Sequence, residues 1–242
     1  MSSDLSDQPL ADDTVGLLEG LTSTRAIRRY LDEPVPPQVL RDILFAATRA
    51  PSGSNRQPFR FLVLVDGPRA REARRLIGES ARRIWAAKEQ QDGYGKGSGT
   101  YAGSPKSRMA RVMREYVEGF ESVPVVVLPC LVRYRAPHPT EGGSVYPACQ
   151  NLLLAARALG YGGVMTGFHR PVEPELRELL GIPEETLIAA TISLGRPAGA
   201  HGPVRRRPLR ELVFADRWGE SPDWALDPPG ARHTAAGPRR PQ

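Results

Sequence analysis

Residues 147–159 are apolar on nearly every side when they are placed on a helix. The centre of this run is Leu152-Leu153-Leu154-Ala155-Ala156, and Ala158 and Leu159 follow it. A helix that lacks a polar face has to be covered on every side, either by a large core or by a second subunit. The rest of the chain, or another chain, therefore has to supply the apolar surface that encloses this helix.

Four other apolar runs lack the alternation of a half-exposed strand, so they predict strands that are covered on both faces. They span residues 61–65, 123–132, 162–165 and 187–194, and we expect Pro129 to interrupt the second one. Apolar residues at helical spacing predict further helices over 37–50, 68–88, 109–120 and 175–180, the last ending at Gly181. Helices and strands interleave without a repeating βαβ unit, which favours an α+β fold.

The length of 242 residues fits one domain with appended arms. We place that domain at residues 14–219 and expect disordered tails at 1–13 and 220–242, because both ends are polar and the second is rich in proline and arginine. Residues 92–105 contain five glycines and predict a mobile loop between two helices. Such an insertion is a candidate lid over an active site, and Tyr94 and Tyr101 are its candidate substrate contacts.

The net charge of +6 raises the question of an acidic partner. Only three lysines are present, and the 30 arginines are spread along the whole chain. A nucleic-acid binder concentrates basic residues among aromatic ones, and the only dense cluster here is 205–210. The composition therefore predicts no nucleic-acid partner.

No stretch of the sequence approaches the roughly 18 apolar residues of a membrane helix. The first 13 residues lack the basic and then apolar pattern of a secretory signal, so we expect a cytoplasmic protein without a membrane partner. Cys130 and Cys149 lie far apart in apolar surroundings and predict buried free thiols. The four histidines show no metal-ligand spacing, so no metal site is predicted.

Side chains for catalysis are hard to find, because no carboxylate pair, nucleophile elbow or phosphate-binding loop is recognisable. An enzyme of this kind usually depends on a cofactor. Three segments suit a flat, phosphorylated one, although each taken alone also fits an ordinary surface turn or strand end. Arg25 and Arg28 suit a phosphate, Asn55 in the loop 51–58 suits the amide edge of a heterocycle, and Gly167 allows close approach of a ring.

The runs TRAIRRY and EPVPPQVLRDILFAATRAPSGSNRQPFRF resemble the N-terminal part of the nitroreductase family of FMN-dependent NAD(P)H oxidoreductases. The runs YPACQNLLLAARALGYGGVMTGF and LGRP resemble its C-terminal part, in the family's order, so that the resemblance covers about residues 22–217. It implies a homodimer with two FMN sites at the subunit interface. It also implies a central, mostly antiparallel sheet flanked by helices, and an extended C-terminal arm. The apolar helix at 147–159 would then lie in the dimer interface.

Carried over by position, the resemblance implies an FMN site built from four segments. Its residues would be Arg25, Ala26 and Arg28, then Pro51, Ser52, Gly53 and Asn55, then Thr166 and Gly167, and finally Arg205 and Arg207. The first and last groups would bind the phosphate, Asn55 the ring edge, and Thr166 and Gly167 the region of the reactive nitrogen. Which of Arg205, Arg206 and Arg207 meets the phosphate stays open.

Thr24 and Ala26 depart from the family's usual Arg-Arg-Ser or Arg-His-Ser start, so the phosphate would depend more on the arginines after residue 204. The family's activity implies a ping-pong cycle, from NAD(P)H through FMN to a nitroaromatic or quinone. An FMN-dependent dehydrogenase or oxidase of a specific metabolite, a dehalogenase and a non-enzymatic flavin-binding protein are the alternatives. The choice between NADH and NADPH is not readable from the sequence.

Overall fold

The computed structural model describes residues 8–235, and its elements are numbered in chain order. The helices are α1 (Leu17–Ser23), α2 (Pro37–Ala47), α3 (Pro68–Gln91), α4 (Pro105–Glu118), α5 (Tyr146–Ala158) and α6 (Glu173–Leu180). The strands are β1 (Phe59–Leu64), β2 (Val125–Val132), β3 (Gly162–Thr166), β4 (Thr186–Ile188), β5 (Thr191–Gly195), β6 (Arg205–Arg206) and β7 (Arg232–His233).

The central sheet has the order β1-β2-β5-β3. Strand β4 also pairs with β2, on the same edge as β5 but further along the strand. Each of its pairings is antiparallel, from Phe59 opposite Leu131 in β1 and β2 to Thr166 opposite Thr191 in β3 and β5. The predicted α+β class with a mostly antiparallel sheet is confirmed. A separate two-stranded ribbon pairs β6 with β7 in parallel.

Alternate residues of β2 pack against different helix layers, as the absence of an apolar–polar alternation predicts. Val126, Leu128 and Cys130 face the layer of α3, α4 and α6. Val125, Val127 and Leu131 face the layer of α2 and α5. The sheet is therefore buried between two layers of helices.

Two expectations about the strands are wrong. Pro129 does not interrupt β2, because its ring lies where the missing N–H is harmless. The neighbouring edge changes there from β5 to β4, and the Pro129 carbonyl still accepts a hydrogen bond from Ala189 N at 2.8 Å. The run 187–194 is also not one strand, since Ala189 and Ala190 form the break between β4 and β5.

Helix α5 is buried along one side by Ala148, Cys149, Leu152 and Ala156. It packs on α2, and Asn151 Nδ2 donates to the Ala46 carbonyl at 3.4 Å. The other side, which includes Leu153 and Leu154, is only half-buried. The chain thus encloses α5 in part. Both cysteines are free and buried, as predicted, and burial raises the pKa of Cys130 to about 11 and that of Cys149 to about 12.

The helix α4 begins four residues before the predicted start at residue 109. Ser104 caps it, since its Oγ accepts a hydrogen bond from Ser107 N at 3.0 Å, and Pro105 occupies the first turn. The preceding glycine-rich loop contains a short 3₁₀ helix, Gly97–Thr100, so it is not without regular structure. Its mobility stays a prediction. Gly181 ends α6 in the left-handed conformation, with φ +66°, as predicted.

Parts of the expected tails make contacts within residues 8–235, while residues 1–7 and 236–242 lie outside the described part. Arg41 donates to the carbonyls of Gln8 and Pro9, each at 3.0 Å. Strand β7 pairs with β6. These contacts hold short stretches of both tails against the domain, and the disorder of 1–13 and 220–242 stays a prediction.

The segment that follows α1 runs along the outer edge of β3 and is held there by few bonds. Ile27 N donates to the Gly163 carbonyl at 3.0 Å. The Tyr30 hydroxyl donates to the Ile27 carbonyl at 2.7 Å and lies 2.7 Å from Ser193 Oγ in β5. On its other side Ser193 Oγ lies 2.7 Å from the hydroxyl of Tyr116 in α4. A buried chain of hydroxyls thus joins this segment, the sheet and α4.

We expect Tyr116→Phe to lower the free energy of unfolding by about 1–2 kcal/mol, because it removes one buried hydrogen-bond partner of Ser193. Tyr116 is 2 % exposed, and burial raises its pKa to about 12. Tyr101→Phe is the matched control, since Tyr101 is 73 % exposed. Urea unfolding of both variants checks this, and equal effects would contradict the role of the hydroxyl chain.

Candidate functional site

A cavity of about 920 Å³ lies between residues 24–28, the first turns of α4 and the β6–β7 ribbon. Its side chains come from parts of the sequence that lie up to about two hundred residues apart. The lining residues are Thr24, Arg25, Ala26, Ile27, Arg28, Pro105, Arg108, Met109, Val112, Ala200, Pro203, Val204, Arg205, Arg206, Arg232 and Thr234. The cavity therefore exists only when the two ends of the chain meet at α4.

The lining of this cavity is strongly basic. It holds six arginines, and no aspartate or glutamate is among the lining residues within 8–235. The Nε atom of Arg28 is buried and has no hydrogen-bond partner among the described residues. A guanidinium group binds phosphate or carboxylate through a planar pair of N–H donors. The donor set and the unpartnered Arg28 Nε therefore fit a phosphorylated ligand.

The β6–β7 ribbon brings like charges together. Arg205 lies opposite Arg232 and Arg206 opposite His233, and Thr234 N donates to the Arg206 carbonyl at 3.0 Å. Like charges directly opposite each other on paired strands are destabilising, and a bound anion removes that penalty. The ribbon therefore adds a local preference for an anion.

Two of the three consecutive arginines at residues 205–207 line the cavity. They are Arg205 and Arg206. Arg207 instead forms an ion pair with Glu211, with Nη2 and Oε2 2.5 Å apart. Arg207 is therefore outside the cavity lining, and the phosphate contact that the resemblance implies for it stays a prediction.

His201 holds the main chain of Arg25 in place. Its Nδ1 atom lies 3.3 Å from Arg25 N and its Nε2 atom lies 3.1 Å from the Tyr161 carbonyl. Both contacts are hydrogen bonds only when the ring is neutral and Nε2 carries the proton. Burial lowers the pKa of His201, as do the nearby charges of Arg157 and Arg25, while the bond to Tyr161 raises it. The surroundings of His201 therefore favour the neutral imidazole that its two hydrogen bonds require.

The loop with Asn55 is strained and lies away from the arginine cavity. Ser54, Asn55 and Gln57 have φ angles of +53°, +51° and +49°, a left-handed conformation that costs free energy outside glycine. Ser52 Oγ accepts a hydrogen bond from Gln57 N at 2.9 Å, and Gly53 N donates to Ser144 Oγ at 3.2 Å. Gly53 lines a different cavity of about 270 Å³, next to residues 131–144. Pro51, Ser52, Gly53 and Asn55 are absent from the lining of the arginine cavity.

Thr166 and Gly167 lie at the end of β3 and are also outside that lining. Thr166 Oγ1 donates to the Thr191 carbonyl at 3.3 Å, and Thr191 Oγ1 lies 3.1 Å from Nδ1 of the buried His169. Space beside Gly167 is small, since a Cβ atom there would lie 3.3 Å from Arg170 Nε. The predicted ring-binding backbone thus has a guanidinium group next to it.

The two lid tyrosines differ in their surroundings. The Tyr94 ring packs against Trp85, with centroids 5.1 Å apart, so it belongs to the core of the α3 layer. Tyr101 is exposed. Neither lines the arginine cavity, to which the lid helix α4 contributes Arg108, Met109 and Val112 instead.

Sequence reasoning did not name Arg108 and Arg232, which line the cavity, and it left Arg206 open beside Arg205 and Arg207. Arg108 belongs to the helical run with the apolar face, and the sequence does not tell which way its charge points. Arg232 lies in the segment expected to be disordered.

Residues 8–235 hold neither a cluster of metal ligands nor a helix that could span a membrane. Within residues 8–235 no three histidine, cysteine, aspartate or glutamate side chains are grouped to hold a metal ion. No helix in that part of the chain has the length and apolar character to cross a membrane.

The antiparallel sheet between two helix layers, with an arginine cavity at its edge, defines an α+β protein with a basic cavity whose donors suit a phosphate group. Residues 21–196 match the model of the Nitroreductase family. The chain belongs to the nitroreductase family.

Relatives with several different activities are similar to this chain. It is 32 % identical to an NADH dehydrogenase of Thermus thermophilus, over 83 % of this chain and 98 % of the relative. It is 29 % identical to iodotyrosine deiodinase 1 of Rattus norvegicus, over 81 % of this chain and 67 % of the relative. A solved structure of a putative nitroreductase with FMN from Desulfovibrio desulfuricans is 28 % identical, has a TM-score of 0.59, and is matched over 85 % of this chain and 99 % of that one.

We expect the stability of the wild type to fall more steeply than that of His201→Gln between pH 7 and pH 5. Folding lowers the pKa of His201, so its contribution is complete above the unfolded value of about 6.5 and is lost as the pH falls through the folded value. Denaturant unfolding of both proteins across this range measures the difference. His169, whose pKa burial also lowers, is present in both and cancels. Parallel curves would contradict the role of His201, and His233→Gln on the exposed ribbon is the control.

Proposed function

We propose that the protein is an FMN-dependent oxidoreductase that passes hydride from NAD(P)H through FMN to an electron-poor acceptor such as a nitroaromatic or a quinone. The observation that carries this proposal is the arginine cavity, whose lining within residues 8–235 has no carboxylate and includes Arg28, a residue with a buried, unpartnered Nε atom. The FMN in the related solved structure and the NADH-dependent activity in the name of the Thermus relative support it.

At the phosphate end, Arg25, Arg28 and Arg205 would bind the terminal oxygens, with His201 holding the Arg25 main chain. When bound, FMN would supply the two-electron hydride chemistry. The charged groups of the protein would hold the cofactor in place and favour its reduced, anionic form. Arg170, beside Gly167, is the cation that this chain offers near the ring-binding backbone.

We infer that the complete site needs two copies of the chain. The loop with Asn55 and the arginine cavity are separate surfaces of one chain, although the resemblance assigns both to one FMN. A homodimer in which the cavity of one protomer meets the loop of the other would bring both groups of residues to one FMN. The exposed Leu17 and Leu18 on α1 and the half-covered side of α5 offer an apolar face for it. The exposed Trp218 and Trp224 suit a C-terminal arm that lies on the partner.

Three alternatives differ in how well the described residues support them. An FMN-dependent dehydrogenase or oxidase of a specific metabolite would use the same phosphate site, so only acceptor tests separate it. Dehalogenation, as in the deiodinase relative, fits less well, because the lid helix carboxylate Glu115 is engaged by Arg29 and Arg111. A flavin-binding protein without turnover would show bound FMN and no acceptor reduction.

We expect the purified protein to bind FMN and to oxidise NADH or NADPH when a nitroaromatic or quinone is added. The double variant Arg25→Ala/Arg28→Ala should weaken FMN at least about tenfold, because each charge-assisted hydrogen bond contributes about 1.5–3 kcal/mol. Flavin fluorescence titration measures the affinity, and Arg210→Ala, which is outside the cavity lining, is the matched control. A protein that takes up no FMN would refute the proposal, and FMN without turnover by any acceptor would leave only the binding protein.

We expect a heterodimer of an Arg25→Ala chain and an Asn55→Ala chain to recover about half of the wild-type FMN content. A composite site gives this heterodimer one site with both residues intact and one with neither. Two affinity tags isolate the heterodimer, and the absorbance ratio of flavin to protein gives the content. Sites built within single chains would leave both sites impaired, so a heterodimer no better than the two homodimers would refute the composite site.

A further inference from the structure

The arginine cavity carries more positive charge than one FMN phosphate uses. A phosphate monoester carries a charge of about −1.5 to −2 at neutral pH. Its three terminal oxygens accept about six hydrogen bonds, which three guanidinium forks saturate. Arg25, Arg28 and Arg205 are enough for that, yet the cavity is lined by three further arginines.

The three further arginines are Arg108, Arg206 and Arg232, and they come from separate elements. Arg108 lies in the second turn of α4, where it also donates to the Gly103 carbonyl of the loop before the helix. Arg206 and Arg232 lie on the two strands of the ribbon. No salt bridge with a carboxylate is formed by any of the three within residues 8–235, whereas the nearby Arg207 is paired with Glu211.

The ribbon lies outside the part of the chain that matches the family model. The family match ends at residue 196, and both strands of the ribbon lie beyond it. The ribbon packs its main chain in parallel over only two residues per strand, with four basic side chains on it. A strand pair this short is marginally stable by itself, and a bound anion would offset the repulsion between its opposed arginines.

We propose that Arg108, Arg206 and Arg232 form a second anion site, which binds a phosphate monoester of the donor or of the acceptor while FMN occupies the first. This inference rests on the proposed function and deepens it. A phosphate fits better than a carboxylate, because three separate guanidinium groups outnumber the two oxygens of a carboxylate and match the three of a phosphate. The monoester is either the 2′-phosphate of NADPH or a phosphate on the acceptor, and both present the same group.

The first experiment measures binding rather than turnover, on the FMN-loaded protein at low ionic strength, where charge contacts are least screened. The probes are 2′,5′-ADP and 5′-AMP, which differ only in the 2′-phosphate. A second pair, 4-nitrophenyl phosphate and 4-nitrophenol, presents the phosphate on an electron-poor aromatic. Preference for the phosphate within the first pair identifies the donor as its source, and preference within the second identifies the acceptor.

We expect at least one phosphate-bearing probe to bind about tenfold or more tightly than its partner, as one charge-assisted contact predicts. Arg232→Ala and Arg108→Ala should each reduce that ratio about tenfold and change FMN affinity less than twofold. Arg232→Lys keeps the charge without the fork and should fall between. Arg210→Ala, the same charge change in the same C-terminal segment, should leave the ratio as in the wild type.

Several results would overturn the second site while leaving FMN binding intact. One is an affinity ratio near one for both pairs of probes in the wild type. Another is an equal effect of Arg210→Ala and Arg232→Ala on that ratio. A loss of FMN affinity in Arg232→Ala as large as that in Arg25→Ala would assign all six arginines to one phosphate. Absence of FMN binding in the wild type refutes the proposed function instead, so the two failures are distinguishable. Circular dichroism of each variant checks that its domain is folded.

Discussion

The hydrogen bond from Ile27 N to the Gly163 carbonyl sets the position of one wall of the cavity. It brings residues 27–30 so close to the sheet that one position in β3 and one in β5 have no room for a side chain. A Cβ atom at Gly162 would lie 2.6 Å from Ile27 Cγ1, and one at Gly195 would lie 2.9 Å from Tyr30 Cδ1. Gly162 in the GYGGVMTGF run and Gly195 in the LGRP run therefore have a physical purpose, since they let the arginine segment lie on the sheet.

Electrostatic repulsion and backbone strain are concentrated at the proposed site. Six arginines meet without a carboxylate in the cavity lining, and three non-glycine residues near Asn55 adopt left-handed φ angles. The folded core has to compensate for both, and the two buried faces of the sheet provide that stability. Such costs persist in a fold when ligand binding recovers them, which is the physical reason to place function here.

The hydrophobic pattern predicted the elements that are buried along their length, and it failed where a strand changes its neighbouring strand. Strand β2 and helix α5 could be predicted because every residue of β2 except Val132 is buried, as is one side of α5. The continuity of β2 through Pro129 could not, because it depends on where β4 and β5 divide its far edge. Arg25 and Arg28 were predicted from local chemistry, while Arg108 and Arg232 reach the cavity only through long-range folding. Their direction is not encoded in any local pattern.

In the proposed homodimer, the separation of the arginine cavity from the Asn55 loop would couple cofactor binding to assembly. If the phosphate end is built by one chain and the ring edge by another, FMN binds the dimer more tightly than the monomer. By mass action the cofactor then stabilises the dimer by as much as the dimer strengthens the cofactor. The incomplete cover of α5 fits the same proposed arrangement, because a second chain would supply the apolar surface that the sequence of this helix demands.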